Sequence, residues 1–296
     1  MTETQENRKV TVLIPAYNEK DAIAPVLRKV REAMDASPYD YEVLVVDDGS
    51  SDGTGHLAEQ EGARVVRHPR NRGTGAALKT GIRQATTEWI AIIDADGTYP
   101  AESLPELYRH LDDHAQVIGA RRAEKGTSRF LRSFVKNIIR TFATFLAGKP
   151  IPDLNSGLRA FRRTEALRFV YLCPDGFSFV SSMALAFLTN NLPVKFVPIN
   201  YHERIGKSKF HPVMDTYRYL LTVVRIVSYF APLNVFMPVC LLMLGAGLVK
   251  GGVDFLWTGS LQESDIILVV VGVLVGALGI LADLIVVQGK RDRGDV

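Results

Sequence analysis

The sequence predicts an α/β domain with a doubly wound parallel sheet, followed by two long apolar helices near the C-terminus. The first observation behind this prediction is that short apolar runs alternate with helical patterns along the N-terminal part of the chain. The second is that residues 1–212 have a mixed composition, whereas residues 230–287 are strongly apolar. The formal net charge of +3 is small, and nucleic acid is not among the predicted partners.

Strand and helix patterns follow one another from the first apolar run onwards. Residues 10–16 are apolar and β-branched, which predicts a buried strand, and residues 21–34 repeat apolar side chains at helical spacing. Strands are predicted at 10–16, 41–46, 64–66 and 89–94, and helices at 21–34, about 54–62 and about 74–86. Sheets of this class bind ligands at the carboxyl ends of their strands, where Asp47, Asp48, Asp94 and Asp96 lie.

Two later segments predict amphipathic helices. Residues 129–146 place Arg and Lys between apolar residues at helical spacing, so the helix has a basic face. Such a helix either packs on a core or lies near a membrane surface, and the pattern leaves both open. Residues 213–230 carry Tyr, Phe and Arg, which suit the headgroup layer, and predict an interfacial helix.

Two apolar stretches have the length of about 20 residues that crosses a bilayer. They are residues 230–249 and 266–287, and the second contains Asp283. The alternative, a helical hairpin buried in a soluble core, fits the second stretch poorly because it is long and continuously apolar. The connector has more acid than base while the flanking segments are basic, which predicts that both termini lie in the cytoplasm. The N-terminus has no apolar segment typical of a signal peptide, so we expect residues 1–212 and the tail 288–296 to be cytoplasmic.

The triplet Asp94-Ala95-Asp96 follows the apolar run WIAII directly. Two carboxylates at a strand end predict a site for a hard divalent cation, Mg²⁺ or Mn²⁺. The cation would bridge to diphosphate oxygens and neutralise the charge of a leaving nucleoside diphosphate. Such triplets also occur in exposed turns, so the prediction depends on its position in the sheet.

Two further segments accompany the triplet at predicted strand ends. Asp48 begins a turn-rich segment, DGSSDGT, whose carboxylates could accept hydrogen bonds from a base or a ribose. The alternative is a helix-capping turn without a ligand. The segment IPAYNE, residues 14–19, stands at the end of the first strand.

Four motifs in order over residues 12–100 resemble glycosyltransferase family 2, whose members have the GT-A nucleotide-sugar fold. They are VLIPAYNE, VVDDGSSDGT, HPRNRGTGAALKTGI and DADGTYP. The resemblance implies a metal-dependent hexosyltransferase. It implies that the nucleotide-sugar contacts Pro15, Tyr17, Glu19, Asp48, Asp94, Ala95 and Asp96, and that Asp96 and Asp94 bind the metal.

The later segments DLNSGLR (153–159) and RIGKSK (204–209), with the hairpin, resemble the branch that makes polyisoprenyl-phosphate sugars. The resemblance implies an inverting transfer of one sugar to a polyprenyl phosphate at the cytoplasmic leaflet of the inner membrane. A UDP-hexose is the favoured donor and GDP-mannose is the rival. A phosphate monoester with a second pKa near 6 is already an anionic nucleophile at neutral pH, so the reaction needs cations more than a base.

Basic residues are the candidates for the acceptor phosphate. We select Arg122, Arg129, Arg204 and Lys209, although these side chains could instead touch anionic headgroups. Asp153 could orient the acceptor, act as a base or cap a turn. The predicted catalytic set is Asp94, Asp96, Asp153 and Arg204.

Two other classes of function fit the sequence less well. A processive polysaccharide synthase would need a Gln-x-x-Arg-Trp segment and more spans, and the only Trp residues are Trp89 and Trp257. A non-catalytic nucleotide-sugar-binding scaffold would not need the acidic triplet and the basic clusters together. Small residues in the spans could pack between subunits of a homo-oligomer; they are Gly245, Gly247, Gly272, Gly276 and Gly279.

Overall fold

The computed structural model describes residues 8–121, 151–176, 178–202, 221, 224, 228 and 232–292. These residues form two compact units, an α/β domain and a C-terminal pair of helices. Within the described part, the domain contains one seven-stranded sheet. Its strands are β1 (Lys9–Ala16), β2 (Asp40–Asp47), β3 (Arg64–Arg67), β4 (Trp89–Ile92), β5 (Gln116–Arg121), β6 (Arg159–Arg162) and β7 (Val194–Ile199).

The helices of the domain flank this sheet. They are α1 (Lys20–Asp35), α2 (Thr54–Gln60), α3 (Thr74–Gln84), α4 (Leu104–Arg109), α5 (Arg163–Phe169) and α6 (Phe179–Thr189), with short 3₁₀ turns at Ala101–Ser103 and Val170–Leu172. α1 buries the apolar face that its spacing predicts. α2 ends two residues earlier than predicted, and Gly62 then takes a left-handed conformation with φ of +75°. β4 ends at Ile92 instead of residue 94, and the chain then turns at Ala95 and Asp96.

The strand order is β3-β2-β1-β4-β6-β5-β7. The first four strands of this order are mutually parallel, and β5 is parallel to β7. β6 is antiparallel to both of its neighbours, so the whole sheet is mixed, whereas the four strands predicted from the sequence are mutually parallel. The chain leaves β5 and enters β6 at the same edge, which forces the opposite direction. The segment before β6 therefore lies at the carboxyl edge of the parallel strands.

The core contains one polar side chain without a partner among the described residues. Gln116 is fully buried, and neither amide atom makes a hydrogen bond. Leaving such a group unpaired costs about 1–3 kcal/mol. We therefore expect Gln116→Met to raise the unfolding temperature by about 2 °C or more, since 1 kcal/mol corresponds to about 2–4 °C in a domain of this size. Fluorescence of the buried Trp89 during heating measures this, with the exposed Gln84→Met as control; a lower unfolding temperature would contradict it.

The C-terminal unit consists of α7 (Leu233–Thr258) and α8 (Glu263–Asp292). Both helices are long and apolar enough to cross a membrane, and most of their large apolar side chains are exposed. α7 begins at Leu233 and continues past the predicted end of the first span, 230–249, whereas α8 exceeds the second predicted span, 266–287, at both ends. At the end near their connection, Lys250 donates hydrogen bonds to Asp254 (2.7 Å), Ser264 (2.8 Å) and Asp265 (2.6 Å), so the ions pair within the hairpin.

Glycines line the contact between these two antiparallel helices. A Cβ added at Gly247 would meet Val269 at 2.8 Å, and one added at Gly276 would meet Cys240 at 2.8 Å. Gly272 and Gly279 likewise face side chains of α7, whereas Gly245 faces open space. Four of the five glycines that suggested a homo-oligomer thus contact the other helix of the same chain. The feature that motivated that prediction does not support it.

Candidate active site

The three predicted acidic and aromatic segments meet at one edge of the sheet. β2, β1 and β4 are adjacent and parallel, and Ala16 lies opposite Asp47 in the register. The residues following their carboxyl ends therefore lie side by side. Pro15 and Ala95 are buried, while Tyr17 and Glu19 are half-buried at this edge. Their contacts with a nucleotide remain a prediction.

Hydrogen bonds join the segment after β1 to the segment after β2. The Asn18 amide donates to Ser50 Oγ (2.9 Å), and the Ser51 amide donates to Asn18 Oδ1 (2.9 Å). The amide of Glu19 donates to Thr54 Oγ1 at 2.9 Å. Asn18 holds a positive φ of 50°, which asparagine tolerates better than most residues. The two segments therefore form one continuous wall at the edge of the sheet.

The carboxylate of Asp48 is buried and engaged by the loop that follows β3. It accepts the amides of Arg72 (3.0 Å) and Gly73 (2.7 Å) and lies 2.6 Å from His68 Nδ1. The other ring nitrogen of His68 lies 2.9 Å from Thr80 Oγ1. Asp48 thus holds the loop 68–73 in place. The contact of Asp48 with a base or ribose stays a prediction, and His68 was missed by the sequence analysis.

The turn after β4 presents Asp94 and Asp96. Asp96 is buried, and its Oδ1 accepts the Thr98 amide (3.1 Å) and hydroxyl (2.6 Å), which fixes the carboxylate in a tight turn. Asp94 is half-buried and packs on Gly157. A Cβ added at Gly157 would lie 2.2 Å from Asp94 Oδ2, so only glycine permits this approach.

The donor set suits a divalent cation that also binds a ligand. No group of three or more His, Cys, Asp or Glu side chains with metal-binding geometry occurs in the described ranges. In proteins, Mg²⁺ usually keeps several waters and is bound by one or two carboxylates plus substrate phosphates. The two carboxylates of this turn are ligands of that kind. Asp94 and Asp96 therefore fit the predicted cation.

Asp153 lies in the segment before β6 and is bound by Arg121 at the end of β5. Arg121 Nε donates to Oδ2 (2.7 Å), Nη2 donates to Oδ1 (2.9 Å), and the Asn155 amide also donates to Oδ1 (3.1 Å). Burial alone would raise the pKa of Asp153, but the hydrogen bonds and charge of Arg121 outweigh it and hold that pKa below its ordinary value. A carboxylate of this kind is a weak base, so the geometry favours the turn-capping and orienting alternatives.

A fully buried arginine supports the same segment. The guanidinium of Arg159 donates to the carbonyl oxygens of Ser156, Leu154 and Val180, and burial lowers its pKa to about 10. It therefore links the segment 153–157 to the first turn of α6. The hydroxyl of Ser181, also in α6, donates to Asn155 Oδ1. The sequence motif contained Arg159, but no sequence signal showed that this arginine is buried and structural and not exposed at the surface.

Several predicted residues lie outside the described part of the chain. They are the four acceptor candidates Arg122, Arg129, Arg204 and Lys209, the helix at 129–146, and all but three residues of the interfacial helix at 213–230. The flanking residues are described: Arg121 ends β5, and Tyr201 and His202 follow β7. β5 and β7 are parallel neighbours, so their carboxyl ends, at Arg121 and Ile199, lie side by side at the edge that carries Asp153.

Comparison with known proteins identifies relatives of this chain. A curated relative, undecaprenyl-phosphate 4-deoxy-4-formamido-L-arabinose transferase of Enterobacter sp. (strain 638), is 30% identical over 217 residues. The match covers 71% of this chain and 65% of the relative, so the chain spans slightly less than two thirds of that protein.

Solved structures of low sequence identity share the fold. One is glucosyl-3-phosphoglycerate synthase from Mycobacterium tuberculosis in complex with Mn²⁺, UDP-glucose and phosphoglyceric acid. It is 21% identical with a TM-score of 0.59, and the match covers 75% of this chain and 80% of that chain. Another is mannosyl-3-phosphoglycerate synthase from Rubrobacter xylanophilus, 19% identical with a TM-score of 0.57, covering 75% and 73% of the two chains. These likenesses confirm the predicted fold class.

Two family models match the chain. The GtrB C-terminal hairpin matches residues 231–287, which contain α7 and most of α8. Glycosyl transferase family 2 matches residues 11–168, a span that includes every described site residue discussed above from Pro15 to Arg159. Because this match covers more than half of the 296 residues, it confirms the predicted family, and the chain belongs to glycosyl transferase family 2.

Proposed function

We propose that the protein transfers one sugar from a nucleoside-diphosphate sugar to a polyprenyl phosphate at the cytoplasmic face of a membrane. The observation that carries the proposal is that a family 2 domain with a two-carboxylate edge site is followed, in one chain, by two exposed apolar helices. Such helices would hold the domain where a lipid phosphate presents its headgroup. The curated relative, named as an undecaprenyl-phosphate transferase, supports this acceptor class.

In the proposed reaction, a phosphate oxygen of the lipid attacks the anomeric carbon on the face opposite the diphosphate. One carbon–oxygen bond forms to the acceptor as the bond to the leaving diphosphate breaks, so the configuration inverts. A divalent cation at Asp94 and Asp96 would supply charge neutralisation for the diphosphate. The acceptor arrives ionised above its second pKa of about 6, and no proton needs to be removed.

The chain's own residues would bind and orient the two anions. The wall formed by the segments after β1 and β2, joined through Asn18 and Ser50, would border the nucleotide. The basic residues Arg122, Arg129, Arg204 and Lys209 are proposed to bind the acceptor phosphate, because arginine and lysine offset the repulsion between two anionic reactants. In the sequence, Arg122 directly follows Arg121 and Arg204 comes three residues after Tyr201, and Arg121 ends β5 at the edge where the donor would lie.

A screen of donors tests the proposal directly. Purified protein in detergent with Mg²⁺ or Mn²⁺ is incubated with undecaprenyl phosphate and radiolabelled UDP-glucose, UDP-N-acetylglucosamine or GDP-mannose. We expect label to enter the lipid fraction with one UDP-hexose, one sugar per lipid, and the anomeric coupling in the product to show inversion. Label in long water-soluble chains would indicate a polysaccharide synthase, and nucleotide binding without any transfer would indicate a scaffold.

We also propose an orientation in which both termini lie in the cytoplasm and the α7–α8 connection lies outside. Ser260 in that connection is exposed, whereas the native Cys173 and Cys240 are buried. In whole cells, we expect Ser260→Cys to react with a membrane-impermeant maleimide without lysis. Labelling that requires lysis would reverse the proposed orientation.

The Arg121–Asp153 pair leads to a prediction that separates orientation from base catalysis. We expect Asp153→Asn to lower kcat by about tenfold or less, whereas loss of a general base typically costs about 10²–10⁴-fold. Because Arg121 depresses the pKa of Asp153, this group stays ionised across pH 6–8 and adds no titration there. The pH–rate profiles of wild type and variant should share one acid limb near the acceptor's pKa of about 6. A limb that disappears in the variant would identify Asp153 as the base.

A further inference from the structure

Tyr99 connects three segments of the candidate active site through one side chain. It is buried and lies three residues after Asp96, beyond the turn that presents the carboxylates. Its phenol oxygen accepts the Gly157 amide at 2.7 Å. Its ring meets Tyr201 edge-on, with centroids 5.2 Å apart and planes inclined by 73°. The side chain therefore joins the β4 turn, the segment before β6 and the segment after β7.

The contact with Gly157 bears directly on Asp94. Gly157 packs so closely on the Asp94 carboxylate that an added Cβ would lie 2.2 Å from Oδ2 and 2.6 Å from Cγ. The position of the Gly157 backbone thus decides where that carboxylate can lie. The hydrogen bond from the Gly157 amide to Tyr99 fixes this backbone from the side.

The contact with Tyr201 extends the same network towards Asp153. The guanidinium carbon of Arg121 lies 5.3 Å from the centroid of the Tyr201 ring, within the range of a cation–π contact. Arg121 also forms the two hydrogen bonds that hold Asp153. A continuous series of contacts therefore runs from Asp94 through Gly157, Tyr99, Tyr201 and Arg121 to Asp153.

We propose that Tyr99 is a positioning residue for the cation-binding carboxylate, acting through the hydroxyl bond to Gly157. This inference rests on the proposed function in so far as Asp94 and Asp96 hold the cation. In this role the hydroxyl of Tyr99 contacts neither the substrate nor the cation, and it takes no part in the chemical step. Burial, followed by the charge of Asp94, raises the pKa of Tyr99, so the phenol stays neutral at physiological pH.

The test is Tyr99→Phe, which removes one oxygen and keeps the ring against Tyr201. We expect Mn²⁺ to bind the variant about tenfold more weakly, because the buried Gly157 amide beside the site loses its hydrogen-bond acceptor. Binding of Mn²⁺ alone is measured by electron paramagnetic resonance, and binding with UDP is measured by calorimetry. The half-saturating Mn²⁺ concentration in the transfer assay should rise by the same factor. A kcat measured at saturating Mn²⁺ should change by less than about threefold.

The matched control is Tyr108→Phe. The phenol of Tyr108 is also buried, donates to the Thr11 carbonyl (2.7 Å) and accepts the Ala91 amide (3.1 Å), away from the acidic turn. Both variants should lower the unfolding temperature, but only Tyr99→Phe should weaken Mn²⁺ binding. Equal weakening in the two variants would show a general structural effect and overturn the proposal.

A second variant covers the case in which Tyr99→Phe does not fold. Tyr201→Leu removes the ring beside Tyr99 and leaves the hydroxyl bond, so Mn²⁺ binding should weaken by only about two- to threefold. Unchanged Mn²⁺ binding in every folded variant would overturn the proposal. If wild-type protein binds Mn²⁺ but transfers no sugar, the proposed function fails while the binding measurements still decide the role of Tyr99.

Discussion

Replacing Asp96 with asparagine is expected to reduce sugar transfer at least a hundredfold while leaving the fold intact, because a bound cation supplies several kcal/mol of charge stabilisation. Asparagine keeps a carbonyl oxygen that can still accept the Thr98 amide and hydroxyl, so the turn after β4 should survive. What the variant loses is the negative charge. Alanine would remove both the negative charge and the oxygen that accepts the Thr98 hydrogen bonds. A loss of activity in the alanine variant could therefore come from a damaged turn or from a lost metal ligand.

The measurement is transfer to undecaprenyl phosphate as a function of Mn²⁺ and Mg²⁺ concentration, with the unfolding temperature recorded in parallel. Asp112→Asn is the control, since this carboxylate pairs with Arg8 and lies just before β5, away from the strand ends that carry the site. Its activity should equal that of the wild type. Full activity in Asp96→Asn at every cation concentration would remove Asp96 from the site and leave Asp94 as the remaining candidate ligand.

The sequence predicted those parts of the fold whose signals are local. Each of the first four strands contains a short apolar run and has an Asp or Pro within two residues of its end, so the strand ends could be placed within about two residues. Parallel pairing then placed Asp48 and Asp94 at one edge without knowledge of any contact between them. The apolar stretches of α7 and α8 were equally visible, because bilayer-spanning length is a property of composition.

The parts that could not be predicted depend on contacts between distant residues. β6 has only four residues, and nothing in its sequence distinguishes an antiparallel strand from a parallel one. The partner of Asp153 is Arg121, thirty-two residues earlier and one of several basic residues in its segment. The sequence shows that Arg121 is basic, but it does not show that Arg121 binds Asp153.

Asp48 illustrates how a resemblance and a geometry can point in different directions. The motif implied contact with the nucleotide, yet the carboxylate is filled by two backbone amides and His68. Its buried position makes it a support for the loop 68–73, and the loop's exposed side chains Arg70 and Arg72 are better placed to meet a ligand from solvent. The sequence had no means of identifying His68, because a single histidine after a strand has no signal of its own.

Gly157→Ala is the second substitution expected to have a large effect, again at least a hundredfold in transfer. The new Cβ would lie 2.2 Å from Oδ2 and 2.8 Å from Oδ1 of Asp94, well inside contact distance, so that the carboxylate must move by about an ångström. Misplacement by that amount is enough to cost about a hundredfold in rate. Alanine adds a single methyl group and changes no charge or polar atom, so a loss of activity would come from displaced atoms and not from a removed functional group.

Gly176→Ala provides the matched control for this substitution, because a Cβ at Gly176 meets no atom within 4 Å. We expect its activity and unfolding temperature to match the wild type. Mn²⁺ binding should weaken in Gly157→Ala along with transfer, and the buried Trp89 should report a folded domain. If Gly157→Ala binds Mn²⁺ normally and loses transfer, the methyl group obstructs the sugar or acceptor instead of displacing Asp94. If it keeps full transfer, the placement of Asp94 against Gly157 is not required, and the cation is held by Asp96 with other groups.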